Sequence, residues 1–200
     1  MRARGFTLLE LLAAIAVLAV LSALSFRGLT SVLETEARLQ GESRRWNDLS
    51  ICFAQLGEDM TMAVERPVRG GDARVLPALL LAGGTQAPTS MERAQLVLTR
   101  LGIGEGAVAQ SVPRRVGYRL RDDRLEYLVW PSPDVGPGTV PEAYVLLDRV
   151  SSVRWQALDA RGRWLDAWPS PQATAGLPRA VAVRVTFPGG EEVMRIVALR

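Results

Sequence analysis

From Phe6 to Phe26 the chain is apolar almost without interruption, and the only charge in that stretch is Glu10. An α-helix rises about 1.5 Å per residue and a hydrocarbon core is about 30 Å thick, so this run is long enough to span one. The pattern passes Phe26 without a turn signal and then becomes amphipathic. Trp46, Leu49, Phe53, Leu56 and Met60 recur at 3-4-3-4 spacing, the stripe of a helix resting on another surface. Arg44, Arg45, Asp48, Glu58 and Asp59 fall off that stripe and are expected on the solvated face. Gly41 and Gly57 are each unfavourable in a helix by about 1 kcal/mol relative to Ala, which suggests bends or close packing. Pro67 ends the helix, because the residue before a proline is driven out of the α region.

Beyond Pro67 the period changes to strands. "ALLLAG" and "AQLVLTRL" are short apolar runs bounded by Gly and Pro. "GYRLRDDRLEYLVWP" alternates on both sides of Asp122 and Asp123, and "RAVAVRVTF" is joined to "EEVMRIVAL" through Gly189-Gly190; both read as hairpins. "AYVLLDRVSSVRWQAL" and "RWLDAW" add strand material, and "PSPDVGPGTVP" and "PSPQATAGLP" read as surface loops. A helix followed by six to eight antiparallel strands is an α+β fold, with the amphipathic helix covering a curved sheet.

Composition narrows the chemistry. The chain has 200 residues, no histidine and one cysteine, and all 24 of its basic residues are arginine. Without histidine, Ser-His-Asp and Cys-His catalysis and most zinc sites are excluded. Cys52 cannot close an intrachain disulfide and, at an apolar helical position, reads as packing. The net charge is +3, with the arginines dispersed among 21 acidic residues, so the basic pI carries little information about partners.

Arg2 and Arg4 precede the apolar run, which by the positive-inside rule leaves the N-terminus in the cytoplasm and exports the rest. The run is longer than the apolar stretch of an ordinary cleaved secretory signal, about 7–15 residues, and it continues as helix. Glu10 admits two readings. It either snorkels to the headgroups near the end of an anchor, or it has a cationic partner, since a charge in hydrocarbon costs about 2.5–3.5 kcal/mol on insertion scales.

The stretch "RGFTLLELL" resembles the type III signal of type IV pilins and type II secretion pseudopilins. The resemblance implies cleavage by a prepilin peptidase between Gly5 and Phe6, N-methylation of Phe6, and a charge pair between Glu10 of one subunit and the Phe6 ammonium of its neighbour. It implies residues 1–5 as leader, 6–28 as the transmembrane part of a pilin-like helix, 29–66 as its amphipathic periplasmic part, and 67–200 as a β-rich periplasmic domain. Within that superfamily, "LGEDMTMAVERPVR", "VSSVRWQALDARGRWLDAW" and "LPRAVAVRVTF" are similar to the J class of minor pseudopilins. That class implies a noncatalytic subunit in the tip complex of a pseudopilus in the bacterial inner membrane and periplasm. Its expected partners are I, K and H class pseudopilins and secreted protein substrates, without nucleic acid. Leu29, Val32 and Leu33, apolar and ahead of the stripe, are the candidate contacts for partner helices. The paired cysteines of many pilins are missing. Adjacent Glu191 and Glu192 on a strand point to opposite faces, so no metal site or other cofactor is expected.

Three other readings stay open on the residues alone. One is a minor type IV pilin or another minor pseudopilin class. A second is a membrane-anchored hydrolase, for which Asp122 and Asp123 are the available carboxylates, although adjacent acids in a turn usually serve the turn. A third is a DNA-binding pilin using Arg154, Trp155, Arg161, Arg163 and Trp164, although tryptophans in strand-like runs such as Trp155, Trp164 and Trp168 more often pack than stack on bases.

Overall fold

In the computed structural model the described residues are 8–70, 75–82, 93–103, 111–134, 136, 138–170 and 176–199. Helix α1 runs from Leu8 to Thr61, and its described apolar part, Leu8–Thr30, is 23 residues long and uncovered by other parts of the chain. At about 1.5 Å per residue those 23 residues measure about 35 Å, enough to cross a bilayer. The chain divides into two compact units, residues 1–47 and 48–200. The final turns of α1, from Asp48 onward, belong to the second unit.

α1 ends at Thr61, ahead of the expected residue 66. The residues that follow are taken by the sheet: Ala63 forms a β-bridge with Arg100, and the Val64 amide donates to the Thr99 carbonyl at 3.0 Å. Gly57 does not mark close packing, since a Cβ placed there meets nothing within 4 Å.

Eleven strands form three antiparallel sheets among the described residues, more than the six to eight expected. β1 (Val68–Arg69) and β2 (Val75–Leu76) make a small ribbon. β3 (Leu79–Leu81), β4 (Leu96–Ile103), β5 (Ser111–Arg121), β6 (Arg124–Val129) and β7 (Glu142–Leu147) form a five-stranded sheet in chain order. β8 (Ser152–Leu158), β9 (Trp164–Leu165), β10 (Ala180–Thr186) and β11 (Glu192–Ala198) form a four-stranded sheet in the order β11-β10-β8-β9. Both expected hairpins are present. Asp122 and Asp123 turn β5 into β6 at φ of 49° and 58°, and Gly190 turns β10 into β11 at φ of 80°.

The main core draws on α1 and both larger sheets. Leu49, Cys52, Leu56 and Met60 of α1 meet Leu96 and Leu98 of β4, Val116 and Tyr118 of β5, Trp155 of β8, and Val181 and Val183 of β10. Two features of the helix differ from the sequence reading. Trp46 is 54% exposed, so the buried stripe starts at Leu49 and takes in Cys52, which packs as expected. Asp59, expected on the solvated face, is fully buried. On the opposite face of the five-stranded sheet, Val97, Leu128 and Trp130 pack with Val68, Leu76 and Ala94 in a second, smaller cluster.

Candidate functional site

For a chain with this organisation two regions carry chemical information: the anchor helix and the junction where α1 meets the sheet. Glu10 lies in the first described turn of α1, among exposed Leu8, Leu9, Leu11 and Leu12. A helix apolar on every side and uncovered within its own chain suits lipid or a bundle of like helices. Gly5 and Phe6 lie outside the described residues, as does the side chain of Val32. Leu29 and Leu33 are 58% and 54% exposed. At the end of the apolar span, the Thr30 hydroxyl donates back to the Phe26 and Arg27 carbonyls, which keeps that polar group satisfied within the helix.

The junction is built around the buried Asp59. Glu58 and Asp59 sit in the last turn of α1, the end where the helix dipole disfavours anions, and that turn holds no basic residue of its own. Arg100 of β4 supplies the missing charge. Its Nη1 pairs with Asp59 Oδ1, and its Nη2 lies 2.6 Å from Glu58 Oε1. The Tyr118 hydroxyl donates to Asp59 Oδ2 at 2.6 Å, Gln55 Nε2 donates to Oδ1 at 2.9 Å, and the Tyr127 hydroxyl donates to Oδ1 at 3.3 Å. Burial pushes the Asp59 carboxyl above its ordinary range, and the bonds from Tyr118, Arg100 and Gln55 pull against that shift. Burial likewise raises the pKa of the Tyr118 and Tyr127 hydroxyls, helped by the Asp59 charge. The arrangement fastens a helix end to three strand positions. Among the described residues, both oxygens of the buried Asp59 carboxylate are taken up by Arg100, Tyr118, Gln55 and Tyr127.

Burial also pushes the Cys52 thiol from 9.0 up to about 12. The folded chain therefore holds this proton where the unfolded chain releases it, so stability is full below pH 9 and falls as pH rises from 9 toward 12. Between pH 9 and 10 the loss from Cys52 is expected to be about 1 kcal/mol, and Tyr118 and Tyr127, whose pKa values are also raised from 10.0, add to it as pH nears 10. Urea unfolding at pH 8, 9 and 10 measures it. Cys52→Ala should lower stability at every pH and flatten this slope; an unchanged slope would assign the loss to other groups.

The remaining candidates fall apart as a site. Asp122 and Asp123 are exposed turn residues. Trp155 is buried against Tyr118, with ring centroids 5.4 Å apart, and Trp168 is buried too, whereas Trp164 is 39% exposed. Arg163 is tied into the loop after β8, where Asp159 Oδ1 accepts the Arg161 and Arg163 amides and Oδ2 accepts Arg163 Nε at 2.9 Å. Arg154 projects from the face of β8 opposite Trp155, so these residues do not converge on one stacking platform. Among the described residues no cluster of His, Cys, Asp and Glu could hold a metal ion.

Comparison with known proteins bears directly on these observations. The profile described as "Type II secretion system (T2SS), protein J" matches residues 27–199, and that of the prokaryotic N-terminal methylation motif matches residues 1–26. Type II secretion system protein J of Escherichia coli is 32% identical, with 98% of this chain and 96% of that protein covered. The protein of the same description from Klebsiella pneumoniae is 30% identical, with 99% and 96% covered. A chain of the GspK-GspI-GspJ complex from the enterotoxigenic E. coli type 2 secretion system superposes with a TM-score of 0.63 at 31% identity, over 78% of this chain and 97% of that one. The methylation motif and the uncovered apolar helix fit anchoring in the inner membrane. With a family profile over most of its length and relatives aligned nearly end to end, the chain belongs to the type II secretion system protein J family, the J-class minor pseudopilins.

Proposed function

We propose that this minor pseudopilin is a noncatalytic structural subunit of a pseudopilus tip complex, supporting filament assembly and the export of folded proteins across the outer membrane. Prepilin peptidase cuts between Gly5 and Phe6, Phe6 is N-methylated, and the new ammonium pairs with Glu10 of a neighbouring subunit. The N-terminus faces the cytoplasm and the β-rich domain the periplasm, an orientation that Arg2 and Arg4 ahead of the span favour by the positive-inside rule. The observation that carries the reading is Glu10 in the first described turn of an uncovered apolar helix, within a segment matching the methylation motif. The related E. coli chain is found with GspK and GspI, which supports I- and K-class partners here; H-class pseudopilins and secreted substrates follow from the same placement at the tip. A catalytic role has no support in the described residues, where the junction carboxylates are consumed in structural pairs.

Intact-mass analysis of protein coexpressed with a prepilin peptidase tests the processing. The expected product has lost Met1 to Gly5 and gained the mass of one methyl group; an intact N-terminus, or a cut beyond Ser25, would reject the scheme. Leu29, Val32 and Leu33 are the proposed contacts for partner helices, two of them with exposed side chains. Changing all three to Ser should reduce copurification of an I-class partner by about tenfold or more, since losing even two buried leucine contacts removes more than 1.4 kcal/mol. Undiminished copurification would move the interface elsewhere.

A further inference from the structure

Among the described residues, the two larger sheets have four edges, and only one of them is long, regular and unpaired. β3, at one edge of the five-stranded sheet, is three residues long, and Leu81 there exchanges backbone bonds with Trp168 at 2.8 and 3.0 Å. β7, at the other edge, starts behind Pro141 and carries a register shift against Leu125 and Glu126, the kind of irregularity that blunts an edge. β9, one edge of the four-stranded sheet, has two residues. β11, the remaining edge, keeps an unbroken register with β10 from Glu192 to Ala198 and contains no proline.

The hydrogen bonds of the β10–β11 hairpin show which groups β11 offers. The Phe187 amide donates to the Glu191 carbonyl, and the Leu199 amide donates to the Arg179 carbonyl, each at 2.9 Å. Bonded pairs alternate along an antiparallel ladder, so Val193, Arg195 and Val197 between them also turn their backbone groups toward β10. The N–H and C=O groups of Glu192, Met194, Ile196 and Ala198 therefore point away from the sheet. Their side chains share the outer face, where Met194 and Ile196 are 54% and 50% exposed and Arg184 Nη1 neutralises Glu192 at 2.9 Å. On the inner face Val193 and Val197 pack against the core. Arg195 between them is exposed and, among the described residues, meets no carboxylate.

An open edge of this kind can take an added strand, with main-chain bonds supplying affinity and alternate side chains supplying preference. Arg195 sets that preference. Two copies of β11 paired about their midpoint would oppose Arg195 to Arg195 of the second copy, a repulsive cross-strand pair, whereas a carboxylate in that place is attractive.

We propose that β11 is a docking edge for an extended segment of a partner protein in which one acidic residue lies between two apolar ones. The segment runs antiparallel to β11 and exchanges backbone bonds with Met194 and Ile196. Its apolar side chains lie beside theirs on the outer face, and its carboxylate sits opposite Arg195. The docking edge belongs to the β-rich unit and does not depend on the processing of α1.

The probe is the end-capped peptide Thr-Thr-Val-Glu-Val-Thr-Lys, added to the isotope-labelled full-length chain in detergent micelles, with amide–water exchange read residue by residue by NMR. Exchange at the Met194 and Ile196 amides should slow saturably with peptide, since these N–H groups pass from water to a strand partner. Replacing the glutamate of the peptide with lysine should weaken binding about fivefold, and Arg195→Glu should reverse that preference. Methylating the backbone nitrogens of both valines should abolish the slowing, because it removes the donors to Met194 and Ile196. No slowing up to the solubility limit of the peptide would make Arg195 a plain block on the edge and overturn the site. Equal binding of the glutamate and lysine peptides, or of the methylated peptide, would overturn it as mere apolar adhesion. Slowing that grows with protein concentration without peptide would make the occupant a second copy and overturn it too. The peptide controls leave the protein unaltered, so they decide the matter even where Arg195→Glu fails to fold.

Discussion

Asp59→Ala is expected to destabilise the folded β-rich unit by about 3–5 kcal/mol, read from the midpoint of urea unfolding at neutral pH. The size follows from what the substitution leaves behind. Arg100, with a side chain only 10% exposed, loses its buried partner and keeps only Glu58, whose side chain is 57% exposed. The Tyr118 hydroxyl, itself buried, loses its acceptor. Glu58→Gln should change stability by less than about 1 kcal/mol, because an exposed carboxylate is already well solvated. The contrast between adjacent positions separates a buried pin from generic charge at a helix end. Because burial raises the Asp59 pKa, the pair is a poor source of net stability, and the combined Asp59→Leu, Arg100→Met, Tyr118→Phe variant should recover most of the loss. What it would not recover is a single docking geometry for the helix end, visible as faster amide exchange in residues 56–61. If Asp59→Ala unfolds within about 1 kcal/mol of the parent, the junction is not a pin.

How far the sequence announced this structure depends on the range of the interaction concerned. The turns at Asp122-Asp123 and Gly189-Gly190 are readable because hairpin chemistry is local: positive φ favours Asp and Gly, and the flanking residues alternate. The apolar span and Glu10 within it are readable for the same reason. The division into a five-stranded and a four-stranded sheet was not legible, because nothing between β7 and β8 except Asp148 to Ser151 marks the change of sheet. Asp59 was misplaced because its charge outweighed its spacing. Leu49, Cys52, Leu56 and Asp59 follow 3-4-3 spacing, a second row beside the Leu49, Phe53, Leu56, Met60 row, and including Cys52 in the stripe would have carried Asp59 onto the buried face. Its partners Arg100, Tyr118 and Tyr127 lie 41, 59 and 68 residues away, so no local pattern identifies them. Arg115, buried on β5, gave no signal either: in an arginine-rich chain, one more arginine on a strand reads as solvated until the covering ribbon is seen.

Glu10→Gln should abolish incorporation of the subunit into the pseudopilus and export of its cargo, while leader cleavage proceeds normally. The expectation rests on the proposed pair between Glu10 and a neighbour's Phe6 ammonium, and its magnitude on the surroundings. At about 4 Å two unit charges attract by about 1 kcal/mol in water and about 4 kcal/mol at an effective dielectric of 20, the setting that bundled helices create. Removing one member of a buried pair costs about 3–5 kcal/mol, which converts to a fall of about two to four orders of magnitude in the docking equilibrium. Glu10→Asp keeps the charge on a shorter arm and should fall between the two. The competing account, in which Glu10 merely snorkels to the headgroups, predicts the opposite sign: deleting a charge near the end of an anchor relieves an insertion penalty, so Glu10→Gln would insert as well or better and assemble normally. Immunoblots of sheared filaments and of secreted cargo, run beside a mobility or mass assay for cleavage, distinguish the two. Wild-type levels of filament-associated Glu10→Gln subunit with normal export would eliminate the charge pair and leave apolar burial as the force that sets helix register.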